Sequence, residues 1–170
     1  TSLTINDNQP PDLPAHTFLD ERQIPYEKLR FSPGTEKGAS NVAQALGYSE
    51  SQMVKTLVFE SGAGEQVLVM LGGDKNAVSS NLKPAIGSRD IKLASPETVI
   101  EVTGYATGSI PPFHWQPPGF RTFIDSCLMD ESILGVGEGT WGDELIILPT
   151  ELARITEATV ANLSVKQQGS

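Results

Sequence analysis

Short stretches with helical spacing of apolar residues alternate with short extended runs along this chain. The helical spacing predicts five helices, and alternating or continuous apolar runs predict six strands. The predicted helices begin at Asp12 and end before Pro25, then cover about 39–46, 74–86 and 96–102, and the last opens at Pro149 and carries Leu152, Ile155 and Val160. The predicted strands cover 26–31, 54–59, 66–71, 91–94, 120–125 and 145–148.

Helix ends and turns are marked by specific residues. Gly47 and Gly87 are predicted to end the second and third helices, and Asp74 is predicted to cap the start of the third. Ser95 followed by Pro96 is typical of a helix start. The segment 135–142 is predicted to be a glycine-rich turn.

The order of these elements predicts a single domain over residues 1–170, with a core at about 12–160 and frayed tails at 1–11 and 164–170. Strands and helices mix without regular βαβ alternation. We therefore predict an α/β protein of the α+β type, with a mixed, mainly antiparallel sheet or barrel flanked by helices.

Composition excludes several classes of protein. No apolar run approaches the ~18 residues needed to span a bilayer, and the first eleven residues lack the pattern of a signal peptide, so we expect a cytoplasmic protein. Cys127 is the single cysteine, and His16 and His114 are the two histidines, so neither a disulfide nor a zinc cluster is expected. We expect no metal and no cofactor.

The net charge and the absence of common motifs exclude further classes of function. A net charge of -9 argues against a broad basic surface for nucleic acid, so any such ligand must be bound locally. The segment Gly135-Val-Gly-Glu-Gly139 leads into a predicted strand rather than a helix, which argues against a nucleotide phosphate site. No P-loop or Gly-x-Ser-x-Gly motif occurs.

The segment 103–114 has no helical or strand period. Gly108 permits an unusual backbone conformation, while Pro111 and Pro112 fix φ, so we predict a rigid, shaped loop. The amides of Gly108, Ser109 and Ile110 can converge on a carbonyl or phosphate oxygen. The alternative is an ordinary Pro/Gly turn.

Lys55 interrupts an otherwise apolar strand. Such a lysine extends to water, pairs with a carboxylate, or sits in a pocket that uses its charge. An edge-strand lysine that blocks sheet pairing is an equally good interpretation of the sequence alone.

Several segments occur in an order that resembles one known family. They are Val54-Lys-Thr-Leu-Val-Phe59, Leu93-Ala-Ser-Pro-Glu97, Thr103-Gly-Tyr105, Gly108-Ser-Ile-Pro-Pro112 and Thr122-Phe-Ile-Asp125. The chain is similar in this respect to the YbaK family, also called the prolyl-tRNA synthetase-associated or aminoacyl-tRNA deacylase domain, over about residues 12–160. The resemblance implies a barrel-like mixed sheet surrounded by helices, and a trans-editing hydrolase that deacylates mischarged tRNA.

The resemblance also implies roles for individual residues. Lys55 matches the functional lysine of the family, and 108–112 match its Gly-x-x-x-Pro loop, so Lys55 with Gly108, Ser109 and Ile110 form the predicted catalytic set. Residues expected to contact the substrate are Thr56, Thr103, Tyr105, Pro111, Pro112, His114, Asp125, Gly137 and Gly139. For Asp125 and the two glycines, a strand-end cap and a plain hairpin are equally good interpretations.

The chain departs from the common family pattern after Pro112. Many members have Pro-x-Gly there, whereas this chain has Phe113-His114-Trp115. His114 is either a general base, since its ordinary pKa suits water activation, or a packing residue. Val54, Ile110 and Phe113 suggest a small pocket suited to alanine, serine or cysteine.

Three functions follow as hypotheses. The first is deacylation of a small amino acid from a non-cognate tRNA such as tRNA-Pro, with the tRNA acceptor end as partner and an aminoacyl-tRNA synthetase as a further candidate. The second is a non-catalytic module that binds tRNA or a synthetase. The third is a small-molecule-binding protein of the same fold, which the acidic charge favours slightly.

Overall fold

The computed structural model describes residues 13–166. Its helices are α1 (Pro14–Glu21), α2 (Ala39–Leu46), α3 (Ser79–Ile86), α4 (Pro96–Thr103) and α5 (Pro149–Thr156). Its strands are β1 (Tyr26–Arg30), β2 (Val54–Ser61), β3 (Gln66–Gly72), β4 (Lys75–Ala77), β5 (Ile91–Leu93), β6 (Arg121–Asp125), β7 (Leu134–Gly137), β8 (Asp143–Ile147), β9 (Thr159–Ala161) and β10 (Ser164–Lys166). Short 3₁₀ helices cover Glu50–Gln52 and Ser126–Asp130.

The main sheet has five strands in the order β5-β2-β3-β6-β9. Strands β5, β2 and β3 are antiparallel, and Lys55 pairs with Leu71 in the β2–β3 register. Strands β6 and β9 join β3 in parallel. The parallel part requires crossover connections, which α3, α4 and α5 supply between the strands.

Two smaller sheets complete the described fold. Strand β8 lies between β1 and β7, antiparallel to both, and β4 pairs with β10. A single bridge from Met53 to Gly135 brings the start of β2 beside β7. The mixed, mainly antiparallel α/β fold is therefore confirmed, and the described strands form three sheets rather than one closed barrel.

The core lies on both faces of the main sheet. Met70 and Ile124 on one face pack with Leu19 of α1, Leu145 of β8 and Leu152 of α5, all fully buried. The opposite face of β3 and β6 packs against α3. Because β3 is covered on both sides, its residues form a continuous apolar run, as the sequence predicts.

Most predicted helix ends are confirmed. Gly47, Gly87 and Gly104 end their helices in the left-handed conformation, with φ of 82°, 83° and 81°. The Ser95 hydroxyl accepts a hydrogen bond from the Thr98 amide at 3.2 Å, and Pro96 occupies the first helical turn.

Four predictions about elements were wrong. Asp74 does not cap α3, because the chain first forms β4 and the helix starts after Val78. Val160 belongs to β9, since α5 ends at Thr156. The predicted turn at 135–142 begins inside β7, and residues 164–166 form β10 instead of a frayed tail.

The rest of the predicted tails, 1–11 and 167–170, lies outside the described residues. Within residues 13–166, no helix has the length and apolar character that crossing a membrane requires.

Candidate active site

A cavity of about 420 Å³ opens where the start of β2, the start of α2, the loop after α4 and the β7–β8 turn meet. Its lining includes most of the predicted catalytic set. The residues that matter for chemistry are Lys55, Thr56, Gly108, Ile110, Gly137 and Glu144. The fold therefore brings together residues that lie far apart in the sequence.

Lys55 is half-buried, and its Nζ donates a hydrogen bond to the carbonyl oxygen of Lys75 at 2.6 Å. It forms no ion pair with any residue between 13 and 166. Burial lowers the pKa of Lys55, and the charges of Glu50 and Asp74 oppose that change. These features support the interpretation that Lys55 serves a pocket.

The loop is shaped by Gly108, whose φ of 93° favours glycine. Gly108 and Ile110 line the cavity, whereas Ser109 does not. The Ser109 amide donates to the carbonyl oxygen of Ala106 at 3.2 Å, within the loop itself. Two of the three predicted oxyanion donors thus remain candidates, and the third holds the loop's shape.

The prolines and Thr103 support the loop and do not line the cavity. Pro111 and Pro112 are buried, and their carbonyl oxygens accept hydrogen bonds from Trp115 Nε1 at 2.5 Å and Gln116 Nε2 at 2.6 Å. The Thr103 hydroxyl donates to the Val99 carbonyl oxygen at 2.8 Å. The Trp115 and Gln116 side chains therefore fold back onto the loop and stabilise its two prolines.

Thr56 and Glu144 add two buried polar groups to the cavity. The Thr56 hydroxyl has no hydrogen-bond partner among the described residues, which is unusual for a buried oxygen. Burial, with the nearby charge of Glu138, raises the pKa of Glu144 to about 8. Glu144 is therefore mainly protonated at neutral pH and presents a neutral carboxyl to the cavity.

Glu138, whose charge acts on Glu144, forms a hydrogen bond with His16. The Leu13 amide donates to His16 Nδ1 at 3.0 Å, so Nε2 carries the proton that it donates to Glu138 at 2.6 Å. Burial raises the pKa of Glu138, against the opposing effect of His16.

Gly137 and Gly139 belong to the β7–β8 hairpin, and both are also close-packing positions. A Cβ on Gly137 would lie 3.3 Å from the carbonyl carbon of Ser109, and one on Gly139 would lie 2.2 Å from the Tyr105 ring. Gly137 lines the cavity, and Gly139 supports Tyr105. Both glycines let the loop approach β7 closely.

His114 and Tyr105 lie away from Lys55. The Tyr105 hydroxyl and His114 Nε2 form a hydrogen bond at 2.7 Å, and His114 lines a separate cavity of about 330 Å³ with Phe18 and Phe113. Burial lowers the pKa of His114. This placement favours the packing interpretation of His114 over a general base in the Lys55 cavity.

Asp125 also lies outside the cavity lining. It is fully buried at the end of β6, where it accepts hydrogen bonds from the Leu163 amide at 2.9 Å and the Ser164 hydroxyl at 2.5 Å. The strand-end interpretation of Asp125 is thus the one that the contacts support.

Several residues of the cavity were not singled out from the sequence, and three of them have charged or aromatic side chains. Besides Glu144, they are Lys37 and Trp141: the Lys37 ammonium lies 4.0 Å from the Trp141 ring centroid, and Trp141 Nε1 donates to the Thr35 carbonyl oxygen at 3.1 Å. The sequence pattern marked neither charged residue, since Glu144 follows Asp143 just before the predicted strand 145–148 and Lys37 precedes the predicted helix 39–46.

The chain is similar to a known family of domains and to several proteins named as tRNA deacylases. The family model of the aminoacyl-tRNA editing domain matches residues 33–155. The chain is 30% identical over 125 residues to the multifunctional Ser/Thr-tRNA deacylase ProXp-y of Escherichia coli (strain K12), covering 71% of this chain and 74% of that protein. It is 21% identical over 154 residues to EbsC of Enterococcus faecalis, named as a candidate Cys-tRNA(Pro)/Cys-tRNA(Cys) deacylase, covering 90% and 93%.

Two further matches concern prolyl-tRNA synthesis. The proline–tRNA ligase of Halalkalibacterium halodurans is 38% identical over 144 residues, which are 84% of this chain and 24% of that enzyme. The crystal structure of a candidate trans-editing enzyme for prolyl-tRNA synthetase has a TM-score of 0.80 and 27% identity, covering 89% of this chain and 95% of that chain.

Proposed function

Because the chain belongs to the aminoacyl-tRNA editing domain family, we propose that it deacylates mischarged tRNA, releasing a small amino acid from the 3′ end of a non-cognate tRNA. The observation that carries the proposal is that Lys55 and the Gly108 loop line one cavity. A cation and backbone amides around one space are the groups that an ester hydrolase needs to hold a carbonyl oxygen.

The reaction requires no nucleophilic side chain. Water adds to the ester carbonyl carbon, and negative charge develops on the carbonyl oxygen. The proposed donors to that oxygen or to the adjacent phosphate are the Lys55 ammonium and the amides of Gly108 and Ile110, since all three residues line the cavity. The bond to the ribose oxygen then breaks, that oxygen takes up the proton that the attacking water gives up, and the amino acid leaves with a free carboxyl group.

Glu144 and Thr56 suit the polar part of this substrate. A carboxyl that stays protonated at neutral pH donates a hydrogen bond and does not repel a phosphate. The unpartnered Thr56 hydroxyl supplies a second buried group for the aminoacyl end.

The size of the amino acid follows from the cavity walls. Val42, Met53, Leu57 and Ile110 are apolar and close in a cavity of about 420 Å³, which also has to admit the terminal nucleoside. Alanine, serine or cysteine fits this space better than a large side chain. Two relatives bear names that specify cysteine and serine or threonine.

The partner is the acceptor end of tRNA, contacted locally. The net charge of -9 opposes long-range attraction of a polyanion, so recognition rests on the few cations at the cavity, Lys37 and Lys55. Since proline–tRNA ligases contain a similar segment, tRNA-Pro and a synthetase are the partners to test first.

The test is single-turnover hydrolysis of a panel of mischarged tRNAs by the wild type, Lys55→Ala and Lys92→Ala. We expect Lys55→Ala to lose about 10²-fold or more in rate while keeping its fold. Lys92 is exposed on β5 and its replacement should have no effect. Wild-type hydrolysis by a folded Lys55→Ala protein would refute the role of Lys55. A wild type that hydrolyses no tRNA of the panel would refute the proposed activity, and tRNA binding without hydrolysis would identify a binding module instead.

A further inference from the structure

Among the described residues, the Lys55 ammonium donates one hydrogen bond, to a group that lies outside the main sheet. Its acceptor is the carbonyl oxygen of Lys75, at 2.6 Å. Lys75 begins β4, a strand of three residues. Its own ammonium pairs with Asp74 at 2.9 Å, so the segment carries a fixed charge pair beside Lys55.

Strand β4 is too short to hold its own position. A three-residue strand offers few hydrogen bonds, and isolated two-stranded pairs are marginal in water. Within residues 13–166, its sheet partner is β10, with Lys75 opposite Lys166 and Ala77 opposite Ser164. The Val78 amide adds a bond to the Leu163 carbonyl oxygen at 3.1 Å. The position of the Lys75 carbonyl therefore depends on β10.

Strand β10 is held in turn by Asp125. This carboxylate is fully buried at the end of β6, and it accepts from the Leu163 amide and the Ser164 hydroxyl at 2.9 Å and 2.5 Å. A buried carboxylate with two donors fixes the groups that it bonds, because releasing either leaves charge uncompensated. Leu163 is itself completely buried.

We infer that Asp125 is a positioning residue for Lys55, acting through the contacts from Asp125 to β10, from β10 to β4, and from the Lys75 carbonyl oxygen to Lys55. The inference rests on the proposed function only in giving Lys55 a role in hydrolysis. It assigns Asp125 no contact with the substrate, and it makes the segment 163–166 part of the apparatus that places the functional cation.

The test compares Ser164→Ala with Ser61→Ala. Both serines are buried, at 8% and 7% exposure, and each hydroxyl makes one hydrogen bond in the described structure, Ser61 accepting from the Glu65 amide at the far end of β2. Two measurements are made: single-turnover hydrolysis, and the titration of the Lys55 Nζ followed by NMR in protein with ¹⁵N-labelled lysine. Lys55→Arg identifies the signal.

We expect Ser164→Ala to lower the hydrolysis rate about 10-fold, with a smaller change in KM, because a displaced cation stabilises the transition state less well. The titration midpoint of Lys55 should fall, because the hydrogen bond to its charged form weakens. Ser61→Ala should change neither. Asp125→Asn, which keeps an acceptor for the Leu163 amide, should retain more activity than Asp125→Ala.

An unchanged Lys55 titration in folded Ser164→Ala and Asp125→Asn overturns the inference, even if activity falls, since stability alone would then account for the loss. A Lys55 titration that depends on Asp125, in a wild-type protein that hydrolyses no mischarged tRNA, supports the positioning role and refutes the proposed function. The two failures are therefore distinguishable.

Discussion

Gly137 and Ser109 lie backbone against backbone, so close that even a methyl group on Gly137 would press against Ser109. A Cβ on Gly137 would approach the Ser109 carbonyl carbon to 3.3 Å and its Cα to 3.4 Å. The contact joins β7 to the loop that carries Gly108, so the shape of the cavity depends on a glycine in the neighbouring sheet. This dependence leads to the first prediction.

Gly137→Ala should displace the loop by a few tenths of an ångström and lower the hydrolysis rate by about 10-fold, because amides aimed at an oxyanion tolerate little misplacement. Gly34→Ala is the control, since the nearest atom to a Cβ there is the Ser32 hydroxyl at 3.6 Å. Single-turnover rates and thermal unfolding of both variants provide the comparison. Equal rates in Gly137→Ala and the wild type would contradict the account.

Within the loop, backbone shape should matter more than the serine hydroxyl. Gly108 has a φ of 93°, which a β-branched residue adopts only with strain, so Gly108→Val should lower the rate most. Pro112→Ala should follow, since it loosens a buried turn, and Ser109→Ala should be mildest. The rates of the three variants on one preferred substrate decide the order. If Ser109→Ala is the most damaging, a hydroxyl role replaces the backbone role.

Glu144 should make stability fall as pH rises. Its pKa of about 8 in the folded protein exceeds its ordinary value of 4.5, so the folded state keeps a proton that the unfolded chain releases. The contribution is present below pH 4.5 and is lost as pH rises toward 8. Glu144→Gln should therefore lose less unfolding free energy than the wild type, by on the order of a few kcal/mol, between about pH 5 and about pH 8.

Urea unfolding at the two pH values measures this difference. Glu138, whose pKa is also raised by burial, contributes a decline in both proteins. Removing the Glu144 charge also lessens the repulsion between the two carboxylates, which further reduces the loss of unfolding free energy in the variant. If the unfolding free energies of the variant and the wild type changed equally with pH, Glu144 would be ionised in the folded protein at both pH values.

Binding of tRNA should be weak, with a shallow salt dependence. Two cations, Lys37 and Lys55, line the cavity, whereas Lys75 is paired with Asp74 and Arg121 with Glu65. A slope corresponding to about two or three phosphates is expected, and Lys37→Ala should reduce it by about one. Affinity measured from low to moderate salt tests both statements. A slope typical of about ten phosphates would indicate a basic surface formed by more than one chain.

Much of the fold could be predicted because local signals and burial agree. The apolar run predicts β3, and Gly47 and Gly87 predict two helix ends, and the structure has all three at the predicted positions. The errors occur where long-range pairing decides. Strand β4 exists because β10 pairs with it, and neither three-residue segment has a pattern that distinguishes it from a turn or a tail.

The candidate site was predictable to a similar extent. Lys55 stood out because a cation in an apolar strand is unusual, and Gly108 because the loop had no period. The position of Asp125 could not be derived, since its partners at Leu163 and Ser164 meet it only after the sheet has formed. The same holds for His114, which forms a hydrogen bond with Tyr105 and does not line the cavity that contains Lys55.

The pairing of β1 with β8 joins Tyr26 to Ile147, near opposite ends of the described chain. Contacts of such high sequence separation slow folding, because the entropy of closing the loop is lost before the contact stabilises anything. During synthesis, β1 has no sheet partner until β8 has emerged from the ribosome. The wall of the cavity that contains Gly137 and Glu144 is therefore completed late, after the β2–β3 hairpin that carries Lys55 is free to form.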